Sequence, residues 1–104
     1  MFNLIQTNEY RQWFARLLDE ATKLRIKARL KRLTDGHFGD CRPVGDGVLE
    51  LRLHFGPGYR VYFMRQGRIF IILLAGGDKS SQARDIDRAK TLAKGVWEDR
   101  SWEA

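Results

Sequence analysis

Arg52, His54, Arg60, Tyr62 and Lys79 are the residues whose types and spacing invite chemistry. Over residues 48–55 the apolar Leu49, Leu51, Leu53 and Phe55 alternate with Glu50, Arg52 and His54, the period of a half-buried strand. Gly56-Pro57-Gly58 then makes a turn. The alternation resumes with Tyr59, Val61 and Phe63 on one side and Arg60, Tyr62 and Met64 on the other, which predicts a hairpin. With Phe55 facing Tyr59 across that loop, His54 stands opposite Arg60 and Arg52 opposite Tyr62, all on the face away from the core. A slip by one residue would bury both arginines and expose Leu51 and Leu53, which argues against it. Lys79 closes the next strand beside the same face. Three cations, an imidazole and a phenol gathered there make a surface suited to an anion. A plain polar sheet face in contact with water is the alternative.

The elements that must position these residues read as strand, helix, helix, three-stranded antiparallel meander and helix. That order predicts one α+β domain over residues 1–104 with a single twisted sheet. Residues 2–6 form a short apolar edge strand, and Thr7 sits where a helix N-cap belongs. Tyr10, Trp13, Phe14, Leu17 and Leu18 fall on one apolar stripe of a first helix and are expected in the core. Asp19 caps a second helix whose stripe is Ile26, Leu30 and Leu33, ended by Gly36. Residues 35–47 hold four glycines and one proline and read as a loop. After Gln66-Gly67, the unbroken apolar run 69–75 predicts a central strand covered on both faces. Gly76-Gly77-Asp78-Lys79-Ser80-Ser81-Gln82 closes it. The two glycines allow close backbone approach or positive φ, and Asp78, Ser80 or Ser81 can cap the last helix. That helix runs from Gln82 to about Asp99 and packs Ile86, Ala89, Ala93, Val96 and Trp97, with Trp102 at a frayed end.

Composition narrows the function classes. A chain of 104 residues, 43% hydrophobic, supports one core and one small domain. Nineteen Lys and Arg against 13 Asp and Glu leave a net charge of +6, which favours a polyanionic or acidic partner. The single Cys41 cannot form an internal disulfide and has no neighbours at metal-ligand spacing, which fits a reducing cytoplasm. Charged and polar residues through the first 20 positions exclude a signal peptide and a spanning segment, so no membrane association is expected. Between Ala21 and Thr34 stand Lys23, Arg25, Lys27, Arg29, Lys31 and Arg32 with no acid among them. Either an acidic partner lies against this helix, or it is a solvated face whose lysine stems cover apolar surface. No Walker loop, Gly-x-Ser-x-Gly turn or metal-ligand cluster is present, and no cofactor is called for.

Val48-Leu49-Glu50-Leu51-Arg52, Gly56-Pro57-Gly58-Tyr59-Arg60-Val61-Tyr62-Phe63 and Gly76-Gly77-Asp78-Lys79-Ser80-Ser81-Gln82 together resemble the RelE/ParE toxin superfamily. The similarity spans nearly the whole chain and is nearest to the HigB-like, phage-related addiction-module killer group. It implies a RelE-like fold and the toxin of a type II toxin–antitoxin system, cutting mRNA in the ribosomal A site. In such enzymes the RNA's own 2′-hydroxyl attacks the adjacent phosphate without a metal. The chemistry needs a group to take the 2′ proton, cations to stabilise the phosphate and a proton for the departing 5′ oxygen.

Carried over by position, Arg60 and Lys79 match phosphate-holding residues, and Arg52-Leu53-His54 matches the basic pair of the preceding strand, with a hairpin loop one residue shorter here. His54 is then the proton carrier. The tyrosine that RelE places early in its last helix falls on Asp85, and Tyr62 is the expected substitute. Lys23, Lys27, Lys31 and Arg42 are the expected RNA-binding residues. The resemblance further implies a cognate antitoxin, usually a helix-turn-helix DNA-binding protein, in a hetero-oligomer that represses its own operon. Two other readings stay open: a ParE-like, non-enzymatic inhibitor of DNA gyrase, and an RNA-binding module without catalysis.

Overall fold

A computed structural model describes residues 1–98 of the chain. Its elements run β1 (Asn3–Gln6), α1 (Asn8–Arg16), α2 (Glu20–Thr34), β2 (Cys41–Gly45), β3 (Val48–Arg52), β4 (Arg60–Gln66), β5 (Phe70–Gly77), a 3-10 turn (Lys79–Ser81) and α3 (Gln82–Glu98). The expected end of the last helix at Asp99 and the frayed Trp102 lie outside the described residues.

Local polar chemistry starts each helix. Thr7 Oγ1 accepts from the Tyr10 N–H at 3.2 Å and donates to the Leu74 carbonyl at 3.0 Å, so one hydroxyl caps α1 and ties it to β5. Asp19 accepts from the Ala21 N–H and the Thr22 hydroxyl to open α2. Asp78 forms a capping box with Ser81 ahead of α3. The apolar stripe of α1 is shorter than the periodicity predicts. The helix stops at Arg16 because Leu17 turns to extended backbone and Asp19 must already cap α2, so Leu18 is 95% exposed.

The sheet has the order β1-β5-β4-β3-β2, with β1 parallel to β5 and all other pairs antiparallel. The meander of β3, β4 and β5 is as expected, but residues 35–47 are not simply a loop. Residues 41–45 pair with β3 as an edge strand, where Pro43 needs no ladder donor. Helices cover both faces. Tyr10, Ile26, Leu30 and Leu33 pack on Leu51, Val61, Phe63, Ile71 and Leu73 on one side. On the other, Ala89 and Ala93 of α3 pack on Val48, Tyr62, Met64, Ile72 and Leu74. The alternating face of β3 and β4 that reads as water-facing is therefore mostly a second core. Trp97, at the far end of α3, is 44% exposed rather than packed in it. Among the described residues no helix is long and apolar enough to cross a membrane.

Gly76 and Gly77 keep negative or extended backbone, and close approach is what requires them. A methyl on Gly76 would lie 2.2 Å from the Trp13 ring, and one on Gly77 would lie 1.8 Å from Asp85 Oδ2. Gly76→Ala is therefore expected to destabilise the protein by about 1–3 kcal/mol through overpacking against α1. Gly95→Ala, in the helix interior with nothing within 4 Å of the new methyl, should stabilise by about 0.5–1 kcal/mol. Urea denaturation of the two variants beside wild type checks both signs.

Candidate functional site

The hairpin places its polar residues by a register two residues away from the expected one. Arg52 pairs with Arg60, Leu51 with Val61 and Glu50 with Tyr62. The loop is longer than three residues because Gly56 and Gly58 take positive φ (56° and 80°), folding its tip back. The Leu53 N–H still donates to Tyr59 O at 2.9 Å, and the Gly58 N–H donates to Phe55 O at 3.1 Å. The shift by two keeps every side chain on its predicted face, so Arg52 and Arg60 remain together.

At this end of the sheet a cleft of about 470 Å³ is lined by Arg52, His54, the Gly56-Pro57-Gly58 turn, Tyr59, Arg60 and Lys79. Four of the five expected catalytic residues thus meet around one concavity. Arg60 is 6% exposed. Its Nη1 donates to the Gly58 carbonyl at 2.8 Å, and its Nε lies 3.6 Å from Glu50 Oε2. Arg52 Nε is buried without a hydrogen-bond partner. Lys79 is exposed on the opposite rim, where its N–H meets the Pro57 carbonyl at 3.4 Å.

Tyr62 is not in the cleft. It is fully buried beneath α3, its hydroxyl donates to Glu50 Oε2 at 3.1 Å, and burial raises its phenol above the ordinary value. The expectation that it substitutes for the missing tyrosine fails because α3 covers that part of the face. Asp85 does not line the cleft either, since it turns back to accept from the Ser81 hydroxyl.

His54 has a partner that the sequence reading did not single out. Its Nε2 is hydrogen-bonded to Asp40 Oδ2 across the turn before β2. That hydrogen bond is the main cause holding the Asp40 carboxyl below its usual value, with Arg52 and Arg29 adding to it. Asp40 therefore stays ionised at neutral pH and gives up its acceptor role only as pH falls below the usual carboxylate range. An ionised carboxylate can only accept, so Nε2 donates, and in the neutral imidazole Nδ1 is left as the acceptor.

The expected RNA-binding lysines lie elsewhere. Lys23 and Lys31 of α2 are ion-paired with Glu20 and Asp35, and Lys27 stands 5.6 Å from the Phe14 ring. Lys27 and Lys31 border an apolar groove of about 320 Å³ with Leu4, Tyr10, Phe14 and Leu30. Arg42 is spent on Glu50 at 3.2 Å. The helix cations nearest the cleft are Arg25, Arg29 and Arg32, on the other flank of the buried stripe, and their spacing was already a readable signal. Among the described residues no three His, Cys, Asp or Glu side chains gather closely enough to hold a metal.

Two measurements probe this geometry. Glu50 is completely buried and also accepts from Gln82 Nε2 at 2.9 Å, so Glu50→Ala should cost about 3–5 kcal/mol by leaving Arg60 without its counter-charge. Chemical denaturation reads that loss. Cys41 donates to the Phe38 carbonyl at 3.0 Å, and burial pushes its thiol up to about 11. Roughly one molecule in a thousand is then thiolate at pH 8, so alkylation by iodoacetamide should be far slower than that of a free thiol.

No family model matches the chain. An uncharacterized protein of Haemophilus influenzae is 48% identical over 88 residues, covering 85% of this chain and 89% of the relative. Among solved structures, a double arginine-to-alanine mutant of the Escherichia coli toxin RelE in the free state matches with a TM-score of 0.64 at 12% identity. That match covers 84% of this chain and 96% of the RelE chain. The chain belongs to one family with the Haemophilus influenzae protein, and its fold is RelE-like.

Proposed function

We propose that this protein is the toxin of a type II toxin–antitoxin pair, a metal-independent endoribonuclease that cuts mRNA on the ribosome and arrests translation and growth. The observation that carries the reading is the direct pairing of Arg52 with Arg60 across β3 and β4, with Lys79 and the Asp40-held His54 on the same cleft. Like charges directly opposite in a ladder repel one another, and a bound phosphate relieves that repulsion. The RelE-like fold supports the same reading.

In this mechanism His54 Nδ1 takes the 2′ proton while Asp40 holds Nε2 and steadies the imidazolium that forms. The 2′ oxygen bonds to phosphorus, and Arg52, Arg60 and Lys79 stabilise the charge that builds on the phosphate oxygens. The bond to the 5′ oxygen breaks, leaving a 2′,3′-cyclic phosphate and a 5′-hydroxyl. Of the cleft cations only a lysine can release a proton, because guanidinium stays charged, so Lys79 serves the departing oxygen.

The partner follows from the remaining surface. The groove bordered by Leu4, Tyr10, Phe14, Lys27 and Lys31 suits an amphipathic, acidic segment of a cognate antitoxin. That antitoxin is a helix-turn-helix DNA-binding protein in a hetero-oligomer with the toxin, and the site of action is cytoplasmic. The HigB-like group is the nearest reading within the superfamily.

Induced expression in bacteria with mapping of mRNA 5′ ends tests the proposal. Wild type and Tyr62→Phe should arrest growth and produce new cuts inside translated messages. His54→Ala should lose about 10²–10⁴-fold in cleavage, and Arg60→Ala should abolish the cuts. Arrest without cuts but with DNA-damage signalling would point to gyrase instead.

A further inference from the structure

Beyond the cleft, α2 presents a second concavity of about 350 Å³. Its walls include Arg25, Arg29, Arg32 and Phe55, and it shares Leu53, His54 and Phe55 with the cleft. His54 therefore stands on the ridge between the two. A single strand that places its reacting phosphate beside Arg52 and Arg60 crosses that ridge on the way out.

We infer that the arginine face of α2 and Phe55 form a nucleotide subsite that takes the RNA residue on the far side of His54 from the cleft. The inference rests on the ribonuclease reading above and adds to it the residues that track the strand. Arg29 and Arg32 hold its phosphate, and Arg25 supports its base.

The charge balance singles out this flank of the helix. Lys23 and Lys31 on the opposite flank are paired with Glu20 and Asp35, whereas among the described residues Arg25, Arg29 and Arg32 form no ion pair. The nearby acid is Asp40, which acts on Arg29 through space while its own hydrogen bond goes to His54. Arg29 thus acts on a carboxylate that is already engaged.

Hydrogen bonding points the same way. Arg29 Nη2 is buried without a partner, and Gly39 leaves room for it, since a methyl there would lie 2.6 Å from that nitrogen. An unmet buried donor is unfavourable, and a phosphate oxygen entering the cavity satisfies it. Arg25 supplies the stacking element. Its guanidinium Cζ lies over the Phe55 ring, 3.8 Å from the centroid, and the residue is exposed, so its outer side is open to a base. Stacking on a cation–aromatic pair is tolerant of base identity, so this subsite contributes affinity and path rather than sequence choice.

The test uses the full chain and dye-labelled, 2′-O-methyl single-stranded oligonucleotides, which lack the attacking hydroxyl. A hexanucleotide spans both concavities and a dinucleotide fills the cleft alone. Arg25→Ala should weaken hexanucleotide binding about tenfold, the scale of one stacked base. Arg29→Ala and Arg32→Ala should each lower the slope of log affinity against log salt by about 0.7. Dinucleotide binding should not change in any of them, and Arg68→Ala, in the exposed turn between β4 and β5, should change neither. If Arg29→Ala unfolds, the exposed Arg25 and Arg32 carry the test. Wild-type hexanucleotide affinity in the arginine variants, with loss in Arg60→Ala, overturns the subsite and leaves the ribonuclease reading standing. Loss confined to duplex RNA overturns it in favour of a ribosome-docking face. Failure of wild type to bind any RNA overturns both.

Discussion

A single buried carboxylate ties the molecule together. Glu50 is wholly removed from water and receives Arg42 from β2, Tyr62 from β4 and Gln82 from the start of α3, with Arg60 beside it. Burying a lone carboxylate in an apolar layer would be strongly unfavourable, so these donors are obligatory. Because they come from three elements besides the strand that carries Glu50, meeting them sets the edge strand, the hairpin and the last helix in one arrangement. The same contact makes Arg60 rigid before any ligand arrives. A preorganised cation stabilises developing charge better than one that must first be ordered.

The cleft exists because α3 does not cover the whole of its face of the sheet. Val48, Tyr62 and Met64 are sealed beneath Ala89 and Ala93, but the chain spends Asp78 to Ser81 on a capped turn before α3 begins. The end of the hairpin therefore stays open, with Arg52 and Arg60 at its floor and Lys79 on its rim. Gly58 lets the turn close over it, as a methyl there would meet both Arg60 Nη1 and Lys79 Cβ at 3.3 Å. Gly76 and Gly77 play the complementary part, admitting Trp13 on one face and Asp85 on the other.

The cations of α2 divide between two roles that composition alone merges. Lysines lie on the flank toward α1, where their stems border apolar surface and acids neutralise two of them. Arginines lie on the flank toward the hairpin loop, where one stacks on Phe55 and another approaches Asp40. Arginine suits the second position because its planar group can stack and bridge oxygens at once.

Local patterns were enough to show the mixed α+β order, which side chains share each hairpin face, the helix caps at Thr7 and Asp19 and the gathering of Arg52, Arg60 and Lys79. These follow from alternation, capping chemistry and turn residues, which are local. Four features needed the tertiary structure. The register moved by two because the loop's positive-φ glycines consume more chain, a shift that leaves facing unchanged and so leaves no trace in the pattern. Residues 41–45 became a strand only through pairing with β3, against a sequence rich in glycine and proline. Tyr62 was lost to the site because α3, distant in sequence, covers it. Asp40 was gained because the turn before β2 returns beside the hairpin loop and brings it to His54. The sequence by itself determined which face each side chain takes; only the packing of distant segments decided which of those faces stays open to a ligand, because burial depends on what the rest of the chain lays over it.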